Sequence, residues 1–325
     1  MVGEYNSWRP GTGTPGVKYT VGVSGAWLKA VAVWAGVVTP ALVLGADFVG
    51  AEVCGKCHAA EFAGQSRSGH ARALSPAQAN QPGEWAFGAG LQAITFVSRL
   101  DRETYREHGE TWYRASKDYS ITPGHRSAGG VLFRLFDPEA RILRCFACHS
   151  TGPVELDGEQ RVMVHELGVR CEACHGAGAA HASDPVKNKM RNPAQTSGAE
   201  VNALCAPCHR LELGTEAENK DVRDPRNSRN QPLMLAASAC FRGSKGRLSC
   251  LTCHAPHDEL AQKPESYDRA CQGCHAAARH TQTVAGRACA GCHMPGVGYG
   301  ELVFVNHRIG IYAAGNAVTP VSVRR

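Results

Sequence analysis

CFACH (145–149), CEACH (171–175), CAPCH (205–209), CLTCH (250–254), CQGCH (271–275) and CAGCH (289–293) punctuate the stretch Cys145–His293, and a seventh copy, CGKCH (54–58), stands alone upstream. A Cys-x-x-Cys pair by itself is half a zinc knuckle or a redox dithiol, and neither chemistry constrains the following residue. Here a histidine follows every time. With 15 histidines in 325 residues, seven such coincidences have odds on the order of one in a billion. The pattern is the attachment signature of haem c, in which two thiols form thioethers with the porphyrin vinyls and the histidine takes one axial position on iron. Attachment therefore falls to Cys54, Cys57, Cys145, Cys148, Cys171, Cys174, Cys205, Cys208, Cys250, Cys253, Cys271, Cys274, Cys289 and Cys292. The proximal ligands are His58, His149, His175, His209, His254, His275 and His293.

Seven covalent haems change what the length implies. From Asp47 to Arg325 there are 279 residues, or about 40 per haem, too few to build a separate protein shell round each. Aromatic residues are only 7% of the chain and charged residues 20%, modest for a purely polypeptide interior. The expected fold is a mainly α and irregular multihaem cytochrome c, low in secondary structure, with the haems forming the core. Fourteen of the fifteen cysteines belong to the motifs, so no disulfide framework remains. The fifteenth, Cys240, reads as a small buried residue. The formal charge of +6 is offset by haem propionates, which bring about −7 to −14. The loaded protein is then mildly acidic, and nucleic acid is not among its expected partners.

Residues 1–46 contain Lys29 and the apolar run AVAVWAGVVTPALVLGA ending in small residues, which reads as a secretory signal peptide. An uncleaved anchor, giving membrane association through the N-terminus, is the alternative, although Pro40 interrupts the run. Residues 47–143 hold the first haem segment and the longest interval between motifs, 91 residues from Cys54 to Cys145. There, apolar or aromatic residues alternate with polar ones around Ala93–Leu100, Thr104–Ala115 and Val131–Leu143, and Asp137-Pro138 is a turn signal. A small antiparallel β module is expected between the first two motifs. Residues 144–325 form the hexahaem part, with spacings of 26, 34, 45, 21 and 18 residues, too irregular for a solenoid. Regular structure should be sparse there apart from short helices at the motifs, and residues 219–232 read as an exposed loop.

What fills the second iron face separates electron carrier from enzyme. Eight histidines lie outside the motifs: His70, His108, His125, His165, His181, His257, His280 and His307. Methionines are few. A residue three positions after a proximal histidine reaches at most about 10 Å, so His257 cannot round the edge of its own haem, and His181 is only slightly better placed. Such histidines should serve a neighbouring haem.

FVGAEVCGKCHAAEF with SGHARAL, then RCFACHSTG, GVRCEACHGAGAAH, SACFRGSKGRLSCLTCHAPH and CAGCHMP with a late NHRI resemble the multihaem cytochromes c related to the tetrahaem electron acceptor of hydroxylamine oxidoreductase. This chain looks like a heptahaem member without tetratricopeptide repeats. The resemblance implies distal ligation by His70, His125, His181, His257, His280 and His307, with His165, His108 or an open iron face completing the set.

A periplasmic or cell-surface carrier passing electrons along closely packed bis-histidine haems is the leading expectation. The alternative is an oxidoreductase with one open haem, acting on hydroxylamine or a small nitrogen or sulfur oxyanion. Partners would be redox proteins serving as donor and acceptor, with oligomers or arrays of the chain itself a second class. Because the haems substitute for an apolar core, the chain expressed without haem attachment should show no cooperative thermal transition by circular dichroism, whereas a sharp transition would mean that the polypeptide folds unaided.

Overall fold

A computed structural model describes residues 48–137, 141–209, 221–275, 280 and 286–321. The expected leader, 1–46, lies outside the described residues. The chain divides into Met1–Val43 and Leu44–Arg325, and every described residue belongs to the second.

An antiparallel sheet occupies the interval between the first two motifs. Its strands are β1 (Leu74–Pro76), β2 (Trp85–Phe87), β3 (Ala93–Arg99), β4 (Thr104–Tyr113), β5 (Asp118–Ile121) and β6 (Val131–Arg134). They run in order β1-β2-β3-β4-β5, with β6 also on β4. Strand β4 is ten residues long and organises the sheet. Along its outer side β6 pairs with Thr104–Glu107, while β5 pairs with Glu110–Tyr113. A line of hydroxyls, Thr95 to Thr111 (3.1 Å) and Thr111 to Thr122 (2.9 Å), crosses the sheet, and the Thr122 hydroxyl donates to the His108 carbonyl at 2.7 Å. Thr111 and Thr122 are buried and therefore need these partners.

The third expected run, Val131–Leu143, is corrected by the structure. The strand ends at Arg134, and Arg141–His149 is the helix that carries the second motif. Ile142 and Phe146 stand four apart and are both fully buried, which is the helical period and not alternation. The Phe146 ring sits against Trp85 (5.6 Å), Phe87 (5.0 Å) and Tyr105 (6.4 Å), each nearly edge-on. Leu74, Val97, Leu135 and Val162 complete this apolar cluster. The second motif is thereby bolted to the sheet's inner face.

Two hairpins lie where little regular structure was expected. One is β7 (Ser150–Leu156) with β8 (Val162–Leu167), and the other is β9 (Gly296–Tyr299) with β10 (Leu302–Val305). Gly152-Pro153 in β7 reads as a strand breaker, but the register shifts between Thr151 and Val154. That bulge accommodates Gly152 at φ +82°. The stretch 219–232 is also corrected as far as it is described. From Asp221 it folds inward, with Asn227, Ser228 and Asn230 buried. Asp224 caps the short 3-10 turn Pro225–Arg229, and Asn227 donates to the Asp221 carbonyl at 2.8 Å. Polar composition misled because Asp224 and Asn227 bond backbone groups and Asn230 donates to the Asn227 side chain, so the segment is not left to water.

Every motif is associated with a short helix: Ala51–Gly55, Arg141–His149, Cys171–His175, Gly198–His209, Cys250–Cys253, Asp268–His275 and Cys289–His293. Helices this short are marginal alone, and three are held at their starts by side chains from another motif's segment. Glu172 of the third motif accepts from the Val49 and Gly50 amides ahead of the first (3.0 and 2.8 Å). Asn202 accepts from Cys250 N at 3.0 Å, and Asp268 from Cys289 N at 2.8 Å.

Truncating Phe146 removes the ring that joins helix to sheet. Phe146→Ala should lower unfolding stability by about 3–5 kcal/mol in chemical denaturation followed by intrinsic fluorescence.

Candidate haem sites

A helical turn serves this motif because cysteines at i and i+3 share one face and the histidine at i+4 lies on the same side. The thiols can then grip one porphyrin edge while the imidazole approaches its iron. In the loaded protein the cysteine sulfurs are thioethers and carry no proton.

Five motif histidines face a histidine from elsewhere in the chain. Ring centres are separated by 6.4 Å for His58 and His181, 5.9 Å for His70 and His209, 6.0 Å for His175 and His257, 6.2 Å for His254 and His307, and 6.0 Å for His280 and His293. An imidazole nitrogen lies about 2 Å from a metal it ligates and about 1 Å from its own ring centre, so two rings sharing one metal ion stand about 6 Å apart. The interplanar angles run from 21° to 76°. Each ring plane can contain the common axis and turn about it, so this range is no obstacle. The spacing is too wide for ring stacking at van der Waals contact and fits an intervening iron.

Ring orientation supports the same fit. Nδ1 of His149 bonds the Ala73 carbonyl (2.8 Å), that of His175 the Arg191 carbonyl (2.8 Å) and that of His293 the Gly310 carbonyl (2.8 Å). Among the facing partners, Nδ1 of His181 bonds the Asn188 carbonyl (2.7 Å) and that of His307 the Val305 carbonyl (2.9 Å). A carbonyl can only accept, so Nδ1 carries the proton and Nε2 is left with its lone pair for a metal. Burial holds His70, His149, His209 and His254 below the usual imidazole range and His307 at about 4. The neutral, ligating form is the default in these sites.

Three other histidines are engaged differently. His125 turns Nε2 to Glu107 at 2.9 Å, and His108 turns Nε2 to the Ser98 hydroxyl at 2.7 Å. His165 packs its ring on Phe48 at 5.5 Å. The structure thus brings His70, His181, His257, His280 and His307 opposite motif histidines, and it places His125 and His165 elsewhere. Among the described residues, which include all fifteen histidines, no histidine ring faces His149 or His275.

Sulfurs of different motifs also meet. Side-chain contacts join Cys54 to Cys171, Cys148 to Cys208, Cys205 to Cys250 and Cys271 to Cys289. Before haem is attached, burial, then the Cys171 and Glu172 charges, pushes the Cys54 thiol up to about 11. Glu172 is a residue that sequence reasoning passed over. It is the single carboxylate inside any of the seven pentapeptides, and that oddity was the available signal.

The family model described as cytochrome c554 and c-prime matches residues 105–176, from β4 through the third motif. The multiheme cytochrome MtrA of Shewanella baltica (strain OS185) is 26% identical over 148 residues, which make up 34% of this chain and 44% of that protein. The match therefore spans less than half the length of that curated relative. Among solved structures, the outer cell wall cytochrome OcwA has a similar fold, with a TM-score of 0.56 and 16% identity over 81% of this chain and 79% of that one. An undecaheme cytochrome from the S-layer of Carboxydothermus ferrireducens gives a TM-score of 0.45 and 18% identity over 73% of this chain and 44% of that one. The chain is thus similar to multihaem c-type cytochromes: the family match spans the second and third of its seven attachment motifs, and its fold resembles that of OcwA.

Proposed function

We propose that the chain binds seven haems c and works outside the cytoplasm as an electron carrier between redox proteins, a heptahaem relative of the tetrahaem electron acceptor of hydroxylamine oxidoreductase. The observation that carries the reading is the set of five histidine pairs at 5.9–6.4 Å. Haem iron supplies reversible one-electron chemistry, and two imidazoles hold it six-coordinate in both states. The carbonyl bonds to Nδ1 fix ring orientation and ligand basicity. Each pair draws its two histidines from the segments of different motifs, which locks the sites to one another. Cysteine contacts then bring attachment edges together between the first and third motifs, the second and fourth, the fourth and fifth, and the sixth and seventh. Short gaps of this kind suit transfer from site to site. Export agrees with the signal-like N-terminus and with the cell-wall and S-layer locations in the names of the structural neighbours.

A second reading has its own observation. His149 and His275 face no histidine among the described residues, so two irons would be free to take a small exogenous ligand, as a reductase or oxidase acting on a small nitrogen or sulfur compound requires. For the carrier, the purified chain should weigh seven haems more than its polypeptide, and at least five ferric irons should give low-spin electron paramagnetic resonance signals. A lower haem count would refute the assignment. A high-spin signal from two irons that bind carbon monoxide after reduction would favour the second reading.

His307→Ala should convert one low-spin iron, that at His254, to a high-spin centre with a new carbon monoxide difference band. An unchanged spectrum would remove His307 from the ligand set.

A further inference from the structure

Glu172 is 2% exposed, a carboxylate closed off from water inside the third attachment motif. Its partners are all backbone amides. Oε1 accepts from Val49 N (3.0 Å) and Gly178 N (2.7 Å), while Oε2 accepts from Gly50 N (2.8 Å) and Val49 N (3.1 Å). Such a donor set suits the ionised form, which has acceptors at both oxygens and no proton to place. No cation pairs with it among the described residues, whereas the neighbouring Glu166, which accepts from Ala51 N at 3.0 Å, has Arg170 at 3.6 Å. Glu172 is therefore a buried charge without a counter-ion. It adjoins Cys171, and the segment it holds leads within four residues to Cys54, whose side chain interacts with that of Cys171. Two attachment edges meet beside one negative group.

We infer that Glu172 sets the redox potential of the first and third haem sites, holding both more negative than an uncharged residue in the same place would. The inference rests on the proposed loading of those two motifs. Oxidised iron carries one more positive charge than reduced iron, and an anion in a dry setting favours the oxidised form more strongly than the same anion in water. Clamping and tuning are then two jobs of one side chain. The amides it collects offer only donors to its two oxygens, and the carboxylate lies beside the two sites it clamps together.

The test is a spectroelectrochemical titration of the full haem-loaded chain in three forms: unaltered, Glu172→Gln and Glu172→Asp. Glu172→Gln removes the charge, whereas Glu172→Asp keeps it on a shorter stem and loosens the clamp. Expected is a positive shift of two of the seven one-electron components in Glu172→Gln, with Glu172→Asp close to the unaltered protein and exposed Glu155→Gln without effect. Equal shifts in Glu172→Gln and Glu172→Asp would show a structural role alone and overturn the inference, as would unmoved potentials in Glu172→Gln. Should Glu172→Gln fail to take up haem, Glu172→Asn compared with Glu172→Asp isolates the charge at one stem length, and equal potentials in those two would overturn the inference. The haem count of the unaltered chain tests the seven-haem reading separately, since the potential shift needs only the first and third sites filled.

Discussion

Short helices with unsatisfied ends must find partners beyond themselves, and in this molecule those partners come from other attachment motifs. A helix of four or five residues has nearly every amide and carbonyl at a terminus, so its own hydrogen bonds cannot sustain it. Glu172, Asn202 and Asp268 each accept an amide proton where another motif's segment begins. Local structure at one site is thus completed by a residue belonging to another. The facing histidines repeat this arrangement, with His181 crossing to His58 and His257 to His175. Caps and ligands together make the sites mutually dependent.

The β module answers a different need. The polypeptide's apolar cluster lies where β2, β3 and β4 receive Phe146 from the helix of the second motif. Elsewhere the buried hydrophobic residues are scattered, among them Val201, Met234, Val297 and Leu302. One motif is therefore fixed to a conventional protein core, while the rest are fixed to one another. The Tyr105 hydroxyl accepts from Val162 N at 2.8 Å, which ties the first hairpin after that motif to the same core.

Much of this was legible in the sequence, for physical reasons that differ by element. The motifs declare themselves because all seven keep both cysteines and the following histidine. Alternation revealed β3 and β4; in β4 one face packs, with Tyr105, Thr111 and Tyr113 buried, while in β3 the neighbours Phe96 and Val97 are both buried. Reach alone directed His257 and His181 away from their own motifs. Hidden from the sequence were which histidine meets which, because the pairs join segments far apart in the chain, and β7, because its bulge carries a Gly-Pro that mimics a break. The turn at Pro225–Arg229 escaped for the opposite reason, its polar residues being buried by mutual hydrogen bonding. Side chains that complete another segment's helix leave no periodic trace. Glu172 was visible only as an odd residue in an otherwise uncharged position.

The crossing of histidines also has a temporal side. The partner of His209 is His70, already synthesised when the fourth motif emerges, but the partner of His254 is His307, close to the end of the chain. Likewise His58 at the start waits for His181, and His175 waits for His257. Two of the first four motif histidines, His58 and His175, thus meet their partners only downstream, and a chain interrupted before its last twenty residues would leave His254 without the facing His307. If these pairs ligate iron as proposed, the centre at His254 is completed only when residues near position 307 are in place.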